Sequence, residues 1–260
     1  MIASAFAARR AEGRAALVPY VTAGHPDVGA TVELLTAMSD AGADVLEVGV
    51  PFSDPLADGP TIQRSSFASL ESGTTVRRVL ADVAAFRALR DTPVVLFTYL
   101  NPVLRFGVAR FLAEASAAGA DGLLLTDLPT GADGQIEDAI SESPLDFIRL
   151  VAPTTPPERI PEIGRSGSGF LYYISRTGVT GARSELPVGL EAEVRAIRDV
   201  VELPVAVGFG ISTPDQAAQV GRLADGVVVG SALVRTLDES GIEAGASLVG
   251  ALRTALDASG

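Results

Sequence analysis

Short apolar segments alternate with helical patterns along the whole chain. Each segment has four to seven residues, rich in Val, Leu and Ile, and a stretch with apolar residues three or four positions apart follows it. The eight segments cover residues 16–22, 45–50, 94–99, 122–126, 146–151, 170–175, 204–207 and 226–229. This alternation predicts parallel strands, because each helix carries the chain back to the same end of the sheet.

The number and even spacing of the segments predict a (β/α)8 TIM barrel, an α/β fold, as a single domain over residues 1–260. We expect an extra helix before the first strand and long active-site loops after strands 2 and 6. An open, doubly wound sheet is the alternative. It is disfavoured because no GxGxxG turn follows the first strand and the strands continue evenly to the end of the chain.

Composition excludes several kinds of function. Acidic residues outnumber basic ones by 32 to 20, and the net charge of −12 disfavours nucleic acid or an anionic membrane as a partner. Cysteine is absent and His25 is the single histidine, so we predict no metal site. All 20 basic residues are arginine, and without lysine neither a Schiff-base aldolase nor a pyridoxal phosphate enzyme is possible. The sequence has no signal-peptide pattern and no apolar run that could cross a bilayer, so we expect a cytoplasmic protein.

One carboxylate falls inside a predicted strand. Glu47 shares a strand face with Val45 and Gly49, where an apolar side chain is expected. Because an isolated buried carboxylate is costly, Glu47 either pairs with an arginine as a structural residue or lines a cavity. Asp58 follows in a loop rich in proline and glycine and is predicted to reach the same strand end. The alternative is that Asp58 only holds its turn.

Glycines follow the seventh and eighth predicted strands, just before a helix in each case. They are Gly208 and Gly210 after one strand, and Gly230 followed by Ser231 after the other. Glycine lets the backbone approach an anion closely, and helix amino ends offer unpaired N–H groups. A TIM barrel usually binds phosphate at this place. The sequence therefore predicts a phosphorylated ligand held without lysine, with Gly181 as a further contributor.

Four segments resemble the tryptophan synthase alpha chain family, and the resemblance extends over essentially the whole chain. They are LEVGVPFSDPLADGPTIQ at 46–63, YYISRTGVTG at 172–181, VGFGIS at 207–212 and VVGSALV at 228–234. The resemblance implies a TIM-barrel lyase of tryptophan biosynthesis that needs no cofactor. It implies cleavage of indole-3-glycerol phosphate to indole and glyceraldehyde 3-phosphate.

The resemblance also implies roles for individual residues. Glu47 matches the catalytic acid/base, and Asp58 matches the residue that binds the indole N–H. The positions that match substrate-binding residues of the family are Tyr20, Tyr172, Thr180, Gly181, Gly210, Gly230 and Ser231. Three positions differ from the usual family residue: Tyr20 stands where phenylalanine is often found, His25 where an aspartate is often found, and Thr126 where a small residue is common. The loop over 182–186 also departs from the family pattern.

A partner protein is implied in the same way. The family works with a pyridoxal-phosphate beta chain that receives the indole, in an assembly of two alpha and two beta chains. The resemblance places the contact surface on the loops around residues 51–54, 99–102 and 127–129.

The predicted chemistry requires two acids in unlike environments. Without a lysine imine, the indole ring itself must accept the electrons of the broken bond, after protonation at C3. Glu47 should therefore have a pKa raised towards neutrality, whereas Asp58 should stay ionised beside the ring nitrogen. Two other functions remain open from the sequence: a phosphosugar isomerase-type TIM barrel, and a non-catalytic subunit that binds a phosphorylated ligand to activate its partner.

Overall fold

The computed structural model describes residues 1–174, 189–208 and 210–259. Its parallel strands close into a barrel in chain order, with β8 hydrogen-bonded to β1. The strands are β1 Ala16–Thr22, β2 Leu46–Gly49, β3 Val94–Thr98, β4 Gly122–Leu125, β5 Asp146–Val151, β6 Leu171–Ile174, β7 Val205–Gly208 and β8 Gly226–Val229. The predicted TIM barrel is confirmed, and the open-sheet alternative is wrong because the first and last strands pair.

Helices surround the barrel. They are α1 Ile2–Ala11, α2 Thr31–Asp40, α3 Pro60–Glu71, α4 Val76–Arg87, α5 Leu100–Phe106, α6 Val108–Ala117, α7 Gly134–Ser141, α8 Ile160–Arg165, α9 Leu190–Arg198, α10 Pro214–Gly221 and α11 Ser231–Asp257. A 3-10 turn, Pro157–Arg159, precedes α8, and α11 is interrupted by non-helical backbone at Gly241. None of these helices is long and apolar enough to cross a membrane.

Both ends of the barrel matter for placing the site. The predicted amino-terminal helix is confirmed as α1, whose Ile2 and Phe6 enter the core inside the barrel. Phe6 stacks on Phe170 with ring centroids 5.1 Å apart. Side chains that point outward from β2, such as Leu46 and Val48, belong instead to the core between strands and helices. The bottom of the barrel is thus filled, which leaves the carboxyl ends of the strands as the face for chemistry.

One of the two predicted long loops lies on that face. The loop after β2 spans residues 50–59 and is confirmed as long. The loop after β6 falls at residues 175–188, outside the described residues.

Some local features differ from the sequence prediction. Apolar residues three and four apart predict a helix over 28–40 with Asp27 as its cap. The helix begins only at Thr31, because the Asp27 carboxylate accepts a hydrogen bond from the Gly29 N–H at 2.7 Å and holds a turn there. Asn101 and Pro102 predict the end of the third strand, with the next helix only over 108–118, but the structure has α5 before it. Pro102 lies in the first turn of α5, where a missing N–H costs no helical hydrogen bond.

A buried ion pair interrupts the apolar layer between barrel and helices. Arg149 on β5 is 3% exposed and pairs with Glu137 on α7. Its guanidinium also donates to the Leu128 carbonyl at 3.4 Å and lies 3.7 Å from the centroid of the Phe147 ring. Glu137 accepts a further hydrogen bond from the Gly131 N–H at 2.9 Å. The pair therefore joins β5 to α7 and to the loop after β4.

Candidate active site

Glu47 lies inside the barrel. Its side chain is 1% exposed, and its register partners are Tyr20 on β1 and Val95 on β3. Within residues 1–174, 189–208 and 210–259 no arginine forms an ion pair with it, and its Oε1 atom has no hydrogen-bond partner. A structural pair with arginine thus does not account for this carboxyl group in the part of the chain described.

Burial changes the proton affinity of Glu47. Removal from water raises its pKa to about 8, and the negative charge of Asp58 adds to the effect. Glu47 is therefore mostly protonated at pH 7 and can donate a proton to a ligand inside the barrel.

The loop between β2 and α3 brings Asp58 to the same hollow. Tyr99 donates a hydrogen bond from its hydroxyl to Asp58 Oδ2 at 2.9 Å, and the Tyr99 oxygen accepts one from the Ala57 N–H at 3.0 Å. The side-chain amide of Gln63 donates to the Asp58 carbonyl at 2.9 Å. Asp58 is thus held by Tyr99, directly after β3, and by Gln63 on α3, as well as by its own turn.

Asp58 stays the stronger acid of the two. Burial raises its pKa to about 6, while the hydrogen bond from Tyr99 opposes that rise. At pH 7 Asp58 is mostly ionised and Glu47 mostly neutral. Their unlike environments give one hollow both a proton donor and a fixed negative charge.

Two tyrosines face the same hollow. The negative charges of Glu47 and Asp58 both raise the pKa of Tyr20 and of Tyr172, in addition to the larger effect of burial. Each hydroxyl lies over a glycine of the next strand. A Cβ at Gly49 would lie 2.1 Å from the Tyr20 oxygen, and one at Gly208 would lie 2.3 Å from the Tyr172 oxygen. Only glycine leaves room for these two rings.

The predicted phosphate residues lie at the ends of β7 and β8. Gly230 is the N-cap of α11 and Ser231 its first residue, so the first-turn N–H groups of this helix have no intrahelical acceptor. Gly210 has φ +53° and lies between β7 and α10. A Cβ at Gly230 would lie 3.5 Å from Tyr20 Cβ, which connects the helix end to the tyrosine wall.

The structure brings together Tyr20, Glu47, Asp58 and Tyr172, with Gly230 beside them. Two of the residues predicted for substrate binding, Thr180 and Gly181, lie outside the described residues. Across those described, no three His, Asp or Glu side chains are grouped closely enough to hold a metal ion.

The sequence analysis missed Tyr99, which holds Asp58. Its signal was its position directly after β3, at the carboxyl end, where TIM barrels carry their chemistry. The analysis of the sequence also missed Thr22, which contacts the Tyr20 hydroxyl, and Ser65, which contacts Thr22. Serine and threonine are common in strands and helices and give no signal of their own.

The chain is similar to known proteins in both sequence and structure. The family model described as tryptophan synthase alpha chain matches residues 6–255. The protein of that name from Geobacter sulfurreducens is 49% identical, and the match covers 98% of both chains. The one from Gluconacetobacter diazotrophicus is 50% identical, over 92% of this chain and 88% of the relative. A structure of Mycobacterium tuberculosis tryptophan synthase has a TM-score of 0.92 at 43% identity over 98% of each chain. The tryptophan synthase subunit alpha from Legionella pneumophila has a TM-score of 0.91 at 37% identity, covering 99% of this chain and 98% of its own.

Proposed function

Because this chain belongs to the tryptophan synthase alpha chain family, we propose that Glu47 is the acid/base of its reaction and that Asp58 is the carboxylate that binds the indole N–H. The protein is a carbon–carbon lyase of tryptophan biosynthesis that cleaves indole-3-glycerol phosphate to indole and glyceraldehyde 3-phosphate. The observation that supports the two residues is their meeting in one buried hollow with pKa values of about 8 and about 6. The family assignment favours this lyase over an isomerase or a non-catalytic activator.

Glu47 supplies the proton that starts the cleavage. Its neutral carboxyl group donates to C3 of the indole ring, which makes the ring electron-poor. The hydroxyl group on the adjacent glycerol carbon then loses its proton to the Glu47 carboxylate. The electrons of the carbon–carbon bond move into the ring and restore indole, while the glycerol carbon becomes the aldehyde. Glu47 ends the cycle protonated, as it began.

Asp58 stabilises the charge that develops at the ring nitrogen. An ionised carboxylate hydrogen-bonded to the N–H strengthens its attraction as positive charge grows there. Tyr99 occupies one carboxylate oxygen at 2.9 Å, which orients the other. We assign Tyr99 as a positioning residue, since it acts through Asp58.

The phosphate group of the substrate is bound by backbone donors. The amino end of α11, with Gly230 and Ser231, carries a favourable helix dipole and free N–H groups. Gly210 contributes from the loop after β7, and we keep Thr180 and Gly181 as further contacts from the loop after β6. Tyr20 and Tyr172 form the walls between this end and the two carboxyl groups.

We expect a bell-shaped dependence of kcat/KM on pH. Activity should rise as Asp58 ionises through a pKa of about 6 and fall as Glu47 loses its proton through a pKa of about 8. Indole release measured between pH 5 and 10 tests this. A profile that keeps rising beyond pH 9 contradicts the role of Glu47 as the acid.

Tyr99→Phe should move only the lower limb of that profile. Loss of the hydroxyl removes a hydrogen bond that lowers the Asp58 pKa, and a hydrogen bond to a charged group corresponds to about one pKa unit or more. We expect kcat/KM to fall about fivefold at pH 6 and much less at pH 8. Tyr173→Phe is the matched control, because Tyr173 donates its hydroxyl to Glu193 at 2.8 Å outside the barrel interior. Equal losses at both pH values in Tyr99→Phe would point to a general structural defect instead.

The alpha chain works with a beta chain, and we propose an assembly of two alpha and two beta chains. Support comes from apolar groups on the catalytic face: Leu56 is 89% exposed in the Asp58 loop, and Leu104 is 49% exposed on α5. A cavity of about 340 Å³ near the carboxyl ends of β4 and β5 is lined in part by Leu128 and Pro129. These residues lie on or next to the three loops expected from the sequence.

Leu56→Asp should weaken binding of the beta chain at least tenfold. Burial of a leucine side chain stabilises an interface by about 1.5–3 kcal/mol, and the carboxylate adds a desolvation cost. Size-exclusion chromatography with a cognate beta chain measures the assembly. Leu89→Asp is the control, because Leu89 is 55% exposed after α4 at the opposite end of the barrel. Unchanged assembly of Leu56→Asp would move the contact surface elsewhere.

We also propose a cytoplasmic location. The lack of cysteine supports it, as does a phosphorylated substrate, which membranes retain inside the cell. Cell fractionation with an antibody against the chain would test it.

A further inference from the structure

The hydroxyl of Tyr20 belongs to a hydrogen-bond chain that runs away from the barrel. Its oxygen lies 3.3 Å from Thr22 Oγ1, which lies 2.7 Å from Ser65 Oγ. Ser65 in turn donates to the carbonyl of Ile62 at 2.9 Å. All three hydroxyl residues are buried.

The direction of this chain follows from counting protons. Each hydroxyl has one proton, and the Ile62 carbonyl can only accept. Ser65 therefore accepts from Thr22, and Thr22 accepts from Tyr20. A phenol proton lies in the plane of its ring, so directing it at Thr22 turns an oxygen lone pair to the opposite side. The Tyr20 oxygen thus presents only an acceptor to the hollow.

The ring of Tyr20 spans the proposed substrate site. Its Cβ end lies against Gly230 at the phosphate end, and its oxygen lies over Gly49, one inward-facing position above Glu47. A substrate with its phosphate at α11 and its ring nitrogen at Asp58 must lie along this side chain.

We propose that the Tyr20 oxygen is a specificity determinant that favours indole rings bearing a hydroxyl group. A ring hydroxyl directed at this oxygen donates a hydrogen bond that unsubstituted indole cannot form. A phenylalanine at the same position offers no acceptor. The proposal rests on the proposed function, in which Asp58 binds the ring N–H, and it extends the substrate class of that site to hydroxyindoles and their glycerol phosphates.

The test uses the reverse reaction, the condensation of an indole with glyceraldehyde 3-phosphate by the full chain. The kcat/KM values are measured for 4-, 5-, 6- and 7-hydroxyindole and for the matching fluoroindoles, which are similar in size but cannot donate. At each ring position the hydroxyl preference is kcat/KM for the hydroxyindole divided by kcat/KM for the fluoroindole. We expect the preference at one position or more to be about fivefold higher in the wild type than in Tyr20→Phe, as one neutral hydrogen bond predicts.

Two variants of Thr22 test the direction of the chain. Thr22→Val removes the acceptor for the Tyr20 proton, which should then turn towards Asp58, and the preference should fall to that of Tyr20→Phe. Thr22→Ser keeps the hydroxyl and should keep the preference. Equal preferences in the wild type and Tyr20→Phe at all four ring positions would overturn the proposal.

Failure of the proposed function has a separate readout. Glu47→Gln and Asp58→Asn are assayed with unsubstituted indole, and unchanged turnover in both would refute the catalytic roles of these two residues. The hydroxyl preference is a ratio within one protein, so it is not altered by a general loss of rate.

Discussion

Glu47→Gln is expected to lower kcat for indole release by a hundredfold or more, the contribution of a positioned general acid. Glutamine keeps the shape of the side chain and can still fill the position on β2, but its amide is far too weak an acid to protonate C3. Substrate should therefore still bind with a similar affinity. Stopped-flow measurement of indole release, together with binding of indole-3-glycerol phosphate, separates the two effects. Near-normal release by this variant would remove Glu47 from the mechanism.

The same variant should be more stable than the wild type at alkaline pH. Burial raises the Glu47 pKa from 4.5 to about 8, so the folded state holds a proton that the unfolded state has lost between these values. The stability of the wild type therefore falls as pH rises from about 4.5 to about 8, and glutamine does not titrate. Urea unfolding should show a stability difference that favours Glu47→Gln and that grows from pH 5 to pH 8. A difference independent of pH would mean that Glu47 is not buried as a neutral acid.

Glu137→Ala is expected to destabilise the fold by about 3–5 kcal/mol. It leaves the Arg149 guanidinium buried without its carboxylate and removes the acceptor for the Gly131 N–H. A buried charge without a partner loses hydration that nothing replaces. Urea unfolding at pH 7, followed by circular dichroism, measures the change.

Two comparisons make this result specific to the buried pair. Glu191→Ala removes a glutamate paired with Arg195 on the surface of α9, where side chains are 65% and 71% exposed, and should cost less than about 1 kcal/mol. The double variant Glu137→Ala with Arg149→Met should recover much of the loss, because no charge remains buried. Similar losses from both glutamate substitutions would show that the Arg149 pair is not a stability determinant.

Most strand positions can be predicted from the sequence, because they depend on residue types within a few neighbouring positions. Predictions for β1, β5 and β8 agree with the structure at both ends. Each is a run of apolar residues bounded by turn residues, and both faces of a strand in a closed barrel are buried. Helix boundaries are read less well. The start of α2 and the whole of α5 depend on turn contacts and on a proline that a first helical turn tolerates.

The position of Glu47 in the site can also be predicted from the sequence, but the residues around it cannot. Glu47 stands out because a carboxylate interrupts an apolar strand at a position that faces inward. The position of Tyr99 directly after β3 is only a weak signal, since an aromatic residue after a strand is common. Only the fold brings its hydroxyl oxygen to 2.9 Å from Asp58 Oδ2. The pairing of Arg149 with Glu137 likewise joins two elements that no local pattern connects.

The amino-acid sequence by itself determined the alternation of strands and helices, the glycines at the ends of β7 and β8, and the acid within β2. These depend on periodicity and residue type over a few positions. Only the tertiary structure decided which carboxyl group is neutral, because pKa values depend on burial and on charges from distant parts of the chain. It also decided the direction of the Tyr20 hydroxyl, since that direction is set by Ser65 and Ile62 on a helix more than forty residues away.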